Sequence, residues 1–112
     1  MTSIIFLYAT APDFETARKI AAALVEKKFA ACVNILGGST SIYRWRGAVE
    51  TAEEITFIVK THEGAASSAR DLILRLHPYE TPCVAALRVD PGASNAAFLD
   101  WIRAESGGAP GP

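Results

Sequence analysis

At 112 residues, half of them apolar and 21% charged, with a formal net charge of -1, the chain has the length and composition of one domain with a modest core. This balance excludes the basic excess of a nucleic-acid binder, no apolar run approaches the roughly 20 residues of a membrane span, and the opening MTSIIFLYATAPD lacks the basic leader of a signal peptide. Two cysteines, Cys32 and Cys83, fit reduced thiols in a cytoplasmic protein better than a disulfide framework.

Ser3 to Thr10 is a near-continuous apolar run that predicts a central strand, and Asp13 after Pro12 is the expected N-cap of a helix. Ala17, Ile20, Ala21, Leu24 and Val25 recur at helical spacing, which carries that helix to about Lys28. Ala31 to Thr61 then reads as two strands joined by a tight turn at Arg46-Gly47. The second of them, from Ala48, has neither proline nor glycine over fourteen residues. At roughly 3.3 Å per residue it would span about 45 Å, whereas a globule of this length is about 35 Å across. Near the turn this strand is polar or small (Val49 to Glu54), yet its partner carries Ile42, Tyr43 and Trp45. An aromatic ribbon that outruns its own core invites pairing with another copy, so the sequence predicts a homo-oligomer. The competing reading is a hairpin that breaks at Gly37-Gly38 and folds over its own domain.

Gly64 to Leu76 repeats the helical pattern, with Ala66, Ala69, Leu72, Ile73 and Leu76 inward, and Pro78 stops it. A strand is expected from Cys83 to Val89, followed by the turn residues Asp90-Pro91-Gly92. A last short helix, capped by Ser94 or Asn95, carries Phe98, Leu99, Trp101 and Ile102. The domain is placed at residues 1–106, with 107–112 as a flexible tail. Two βα units flanking a hairpin imply an α+β, ferredoxin-like βαββαβ sandwich with a C-terminal helix and both long helices on one face. The other face of the sheet would be bare in a monomer, a second reason to expect association.

For chemistry, His77-Pro78-Tyr79-Glu80-Thr81-Pro82 gathers an imidazole, a phenol and a carboxylate between two prolines. His77 and Glu80 read either as ligands for a metal or small molecule, or as a helix-capping imidazole and a surface ion pair. Cys32 opens a strand as an apolar filler or as a soft donor that His77 would complement for copper, and Cys83 reads as core or as a further thiol donor. No Cys-x-x-Cys or His-x-His spacing supports a closed zinc site. His62, at a strand-to-helix junction, defaults to a surface or capping role. Lys60 falls on the same face as Glu54 and either snorkels or attracts an anion, while Tyr43 and Trp45 either stack on a ligand or pack at an interface. No nucleophile motif, phosphate loop or paired catalytic carboxylates appear, so neither catalysis nor an organic cofactor is expected. RNA-recognition modules share this element order, but the third strand, AVETAEEITFIVKT, carries three glutamates and one aromatic residue, which disfavours RNA.

Thr10 to Asp13, Ala31 to Ile35, Ser41 to Gly47, Glu54-Ile55 with Lys60-Thr61, His77 to Glu80 and Leu99 to Ile102 together resemble the CutA divalent-cation-tolerance family over about residues 3 to 103. The resemblance implies a homotrimer with interlocked hairpins, related in architecture to PII signalling proteins and associated with the response to metal ions, with copper binding in some members. It implies an inter-subunit cleft formed by Tyr43, Trp45, Glu54, Lys60, His77, Tyr79 and Glu80, and copper ligands at Cys32 and His77. Two departures stand out: Ala9 where some members have a cysteine in the loop after the first strand, and Cys83 where most have an acidic residue. The leading expectation is a trimeric, non-enzymatic metal-response protein that binds copper or another divalent cation. The alternative is a PII-like sensor or scaffold with a small anionic metabolite near Lys60.

Overall fold

The computed structural model describes residues 2–107, so residues 108–112 of the expected tail lie outside the described residues. Strand β1 (Ile4–Ala11) leads into helix α1 (Phe14–Glu26), then β2 (Cys32–Trp45), β3 (Ala48–His62), α2 (Glu63–Leu76), β4 (Val84–Arg88), a 3-10 turn (Pro91–Ala93) and α3 (Ala96–Glu105). The four strands form one sheet in the order β2-β3-β1-β4, with every neighbouring pair antiparallel. This is the ferredoxin-like arrangement expected from the element order.

The period of two along each strand sorts the sheet into two unlike faces. Ile5, Leu7, Ala9 and Ala11 of β1 and Phe57 and Val59 of β3 point to one side, where they meet Ala17, Ile20 and Leu24 of α1 and Ala69, Leu72 and Ile73 of α2 in a single core. Ala9 lies within β1 rather than in the loop after it, and is fully buried in this core. On the other side, α3 covers one end only: Leu99 and Ile102 close over Ile4. Phe98 and Trp101 stack on each other with ring centroids 5.8 Å apart and stay exposed, as do Tyr8 and Leu87 on the uncovered sheet.

Local chemistry sets the boundaries. The Asp13 carboxylate accepts from the Thr16 N–H at 2.7 Å and starts α1, and that bond holds its pKa below the ordinary carboxylate value. Helix α1 stops at Glu26, not Lys28, because Lys27 caps it and Lys28 takes a left-handed φ of 60°. Asn95, rather than Ser94, caps α3 through the Ala97 N–H. Strand β4 is shorter than expected, but the Val89 N–H still donates to the Ile4 carbonyl at 3.1 Å.

The predicted hairpin is there, closed by Arg46 (φ 49°) and Gly47 (φ 84°), the pair of positive φ values that a type I′ turn requires. Gly37-Gly38 does not break the ribbon. Strand β2 runs through both glycines with a bulge between Ile35 and Gly37 that leaves Leu36 without a partner. Pairing of β3 with β1 ends at Ile55, so everything from Ala48 to Glu54 pairs with β2 alone and projects beyond the sheet. The molecule is accordingly elongated, 50 × 28 × 22 Å. The one link from the hairpin tip back to its own domain among the described residues is an exposed ion pair, Arg46 to Glu80 at 3.2 Å.

Candidate functional site

Where the hairpin leaves the sheet, its inner side and the Pro78–Thr81 loop enclose a cavity of about 610 Å³ on the open face. That volume lies within the range of small-molecule sites. β1 supplies the floor with Tyr8 and Thr10, β2 and β3 supply Tyr43, Trp45, Glu50 and Glu54, and the loop supplies Tyr79, Glu80 and Cys83. Antiparallel register explains the grouping: Tyr43 lies across from Glu50 and Ser39 across from Glu54, so these alternate residues share the open face.

The cavity is negative in character. The Glu54 side chain belongs to a residue only 9% exposed, and the Tyr79 phenol is its hydrogen-bonding neighbour, yet among the described residues its carboxylate has no ion pair. Glu50 accepts from the Tyr43 hydroxyl at 3.3 Å, and Glu80 reaches outward to Arg46. Burial first, and then Glu54, pushes the Tyr79 phenol and the Cys83 thiol above their ordinary pKa values. Tyr43 is raised as well, by desolvation first and Glu50 next. Each shift has the sign of a group that would become an anion beside existing anions.

Of the residues expected in the cleft, the fold brings together Tyr43, Trp45, Glu54, Tyr79 and Glu80. His77 stands behind the wall, buried, with Nε2 2.8 Å from the Thr10 carbonyl and Nδ1 accepting from the Tyr79 N–H at 3.1 Å. Both ring nitrogens are therefore engaged within the chain. Lys60 is on the open face but at its other end, with its ammonium 5.5 Å from the Phe6 ring and 5.2 Å from the Phe98 ring. Cys32 pairs with Lys60 across β2 and β3, and so shares that far end. About 13 Å of strand separates the level of Lys60 and Phe6 from that of Thr10, so one chain does not bring Cys32 to His77. Cys83, by contrast, lines the cavity. Among the described residues no three His, Cys, Asp or Glu side chains converge as a metal-holding group, so the donors of a single chain do not fit a closed metal site.

His62 departs from its expected surface or capping role. It is buried, and its Nδ1 lies 2.8 Å from the Ser106 hydroxyl at the end of α3 rather than capping α2. The sequence reading did not single out Tyr8, Thr10, Ser41 and Glu50, though their signal was present: they stand two or four positions from Phe6, Tyr43 and Glu54 on the same strand faces.

Fold and cavity together define a ferredoxin-like protein with a ligand-sized pocket whose lining holds a thiol, phenols and carboxylates but no imidazole or amine. Residues 5–105 match the model of the CutA1 divalent ion tolerance protein family. The divalent-cation tolerance protein CutA of Thermus thermophilus is 46% identical over 98 residues, spanning 88% of this chain and 93% of that protein. The crystal structure of CutA from Xylella fastidiosa superposes with a TM-score of 0.88 at 35% identity, covering 93% of this chain and 98% of that one. The Archaeoglobus fulgidus structure, described as a periplasmic divalent cation tolerance protein CutA, gives 0.86 at 41% identity, with 92% and 98% covered. The chain belongs to the CutA1 divalent ion tolerance family. No helix among the described residues is long and apolar enough to cross a membrane.

Proposed function

We propose that the chain serves divalent-cation tolerance as a cytoplasmic, non-enzymatic homotrimer whose projecting hairpins shelter one another. The observation that carries this is the state of the distal ribbon, where Ile42 and Val49 are 72% and 63% exposed on an arm that its own sheet does not reach. Apolar surface on an unpaired ribbon is a docking surface or an aggregation hazard, and a closed ring of copies removes the hazard. Sedimentation equilibrium at micromolar concentration is expected to give three times the 12.0 kDa chain mass. A folded species of 12.0 kDa overturns the proposal.

The metal arm of the proposal centres on thiols. Cys83 beside Glu54 is the donor that the pocket offers to copper, while Cys32 and His77 contribute only where a second subunit completes the coordination. Titration with Cu(I), followed by ultraviolet charge-transfer absorption in the wild type, Cys32→Ala and Cys83→Ala, tests this assignment. Loss of the band in Cys83→Ala supports it, and absence of any band in the wild type discards copper. An anionic metabolite, the PII-like alternative, is the weaker reading, because Lys60 lies against Phe6 and Phe98 instead of in the cavity.

A further inference from the structure

We propose that the cavity on the open face is a binding site for a small organic ammonium ion, an amine or quaternary ammonium head on an apolar body. The reading goes beyond metal tolerance and uses the pocket's own walls. Its centre is Glu54, nine-tenths buried and without a cationic partner among the described residues. The Tyr79 phenol beside it supplies a hydrogen bond but no charge, and a cation seated against a largely buried carboxylate relieves the cost of leaving it without a counter-charge.

The rest of the lining selects the kind of cation. Tyr8, Tyr43, Trp45 and Tyr79 all border the same space, and an aromatic enclosure attracts an alkylammonium through its ring faces. Trp45 already receives a cation in this way: the Arg46 guanidinium lies 5.4 Å from its ring centroid at the rim. A bare divalent ion fits the same walls poorly. Glu50, Glu54 and Glu80 are distributed around the cavity and form no converging group, whereas a hard metal asks for six or more oxygens at short range. The volume of about 610 Å³ also exceeds what an ion needs and suits an organic body. An anion is disfavoured by the three carboxylates of the lining and by the desolvation that, ahead of Glu54, raises the Tyr79 phenol and the Cys83 thiol.

The test is isothermal titration of the full-length protein, in its native assembly, with choline and benzylamine. The neutral isosteres 3,3-dimethyl-1-butanol and benzyl alcohol serve as controls, with benzoate as the anion. Saturable binding of a cation, at least about tenfold tighter than of its neutral isostere, is expected. Glu54→Gln, which keeps shape and removes charge, should weaken that binding by about tenfold, and Trp45→Leu should weaken it while leaving benzyl alcohol little changed. Equal affinity for cation and isostere, tighter binding of benzoate, or a fully folded Glu54→Gln that binds as the wild type does overturns the assignment. So does a wild type that binds neither cation, as when a basic side chain of a neighbouring copy already sits on Glu54. The mass and the copper titration are read on the same preparation. A trimer that takes copper but no amine sinks this inference alone, and a monomer that takes the amine sinks the trimer alone.

Discussion

The imidazole of His77 ties the end of α2 to the end of β1: Nε2 sits 2.8 Å from the Thr10 carbonyl, while Nδ1 accepts the Tyr79 N–H at 3.1 Å. Because Nδ1 is an acceptor, the ring proton is on Nε2 and is donated to Thr10. One side chain thereby fixes both the floor and the loop wall of the cavity. Replacement by alanine leaves a buried carbonyl and an N–H without partners. His77→Ala should therefore cost about 1–3 kcal/mol in urea unfolding and speed hydrogen exchange at Tyr79. Unchanged exchange at Tyr79 would show that the loop is held by other means.

His62 makes stability depend on pH. Burial, and then the Arg103 guanidinium, lower its pKa below the ordinary 6.5. The folded state therefore binds its proton more weakly than the unfolded chain does. The associated stability is fully present above pH 6.5 and is lost as pH falls through that value toward the depressed one. The melting temperature should fall from pH 7.5 to pH 5.5 in the wild type, and fall less in His62→Gln. Parallel curves for the two proteins would place the acid sensitivity elsewhere.

Arg46 occupies a left-handed conformation, φ 49°, in the hairpin turn. Asparagine tolerates that region better, and Asn-Gly is the preferred pair for a type I′ turn. Arg46→Asn gives up the contacts with Glu80 and the Trp45 ring, but both partners of the ion pair are about three-quarters exposed and such exposed contacts contribute little. A net stabilisation of roughly 0.5–1 kcal/mol is expected in denaturant titration. A loss of stability would mean that the tip contact outweighs the backbone strain.

Cys83 should be a slow nucleophile despite its position in a cavity. Its thiol is held above the ordinary value of 9.0 by burial and by Glu54, so little thiolate is present near neutrality. Alkylation by iodoacetamide at pH 7.5, followed by peptide mass, should be faster at Cys83 in Glu54→Gln than in the wild type. Equal rates would remove Glu54 as a cause.

The parts of this fold that were legible in the sequence are those set by neighbours along the chain. Asp13 before a helical stripe, Arg46-Gly47 between two β-rich runs and Pro78 after a helix each impose their geometry locally. What escaped depends on distant packing. Glu54 follows Glu53 in a polar stretch, and only the return of the Pro78–Thr81 loop beneath the hairpin shuts it from water. Lys60 shares a strand face with Glu54, but their separation along β3 keeps it at the opposite end, where Phe98 of α3 arrives to meet its ammonium. His62 acquires its role from Ser106, 44 positions later. None of these meetings leaves a periodic trace.

The lone extra residue Leu36 decides which way the outer half of β2 looks. Before it, Val33 and Ile35 face the helices; after it, the odd-numbered Ser41, Tyr43 and Trp45 turn to the opposite side. Excising Leu36 would remove the bulge and leave Tyr43 across from Glu50, whereas pairing Leu36 within an unbroken ladder would slip every later residue by one and swing the two aromatic rings to the back of the arm, away from Glu54. The bulge thus acts as a parity switch for the whole projecting arm: by looping out one residue it keeps both rings on the pocket side.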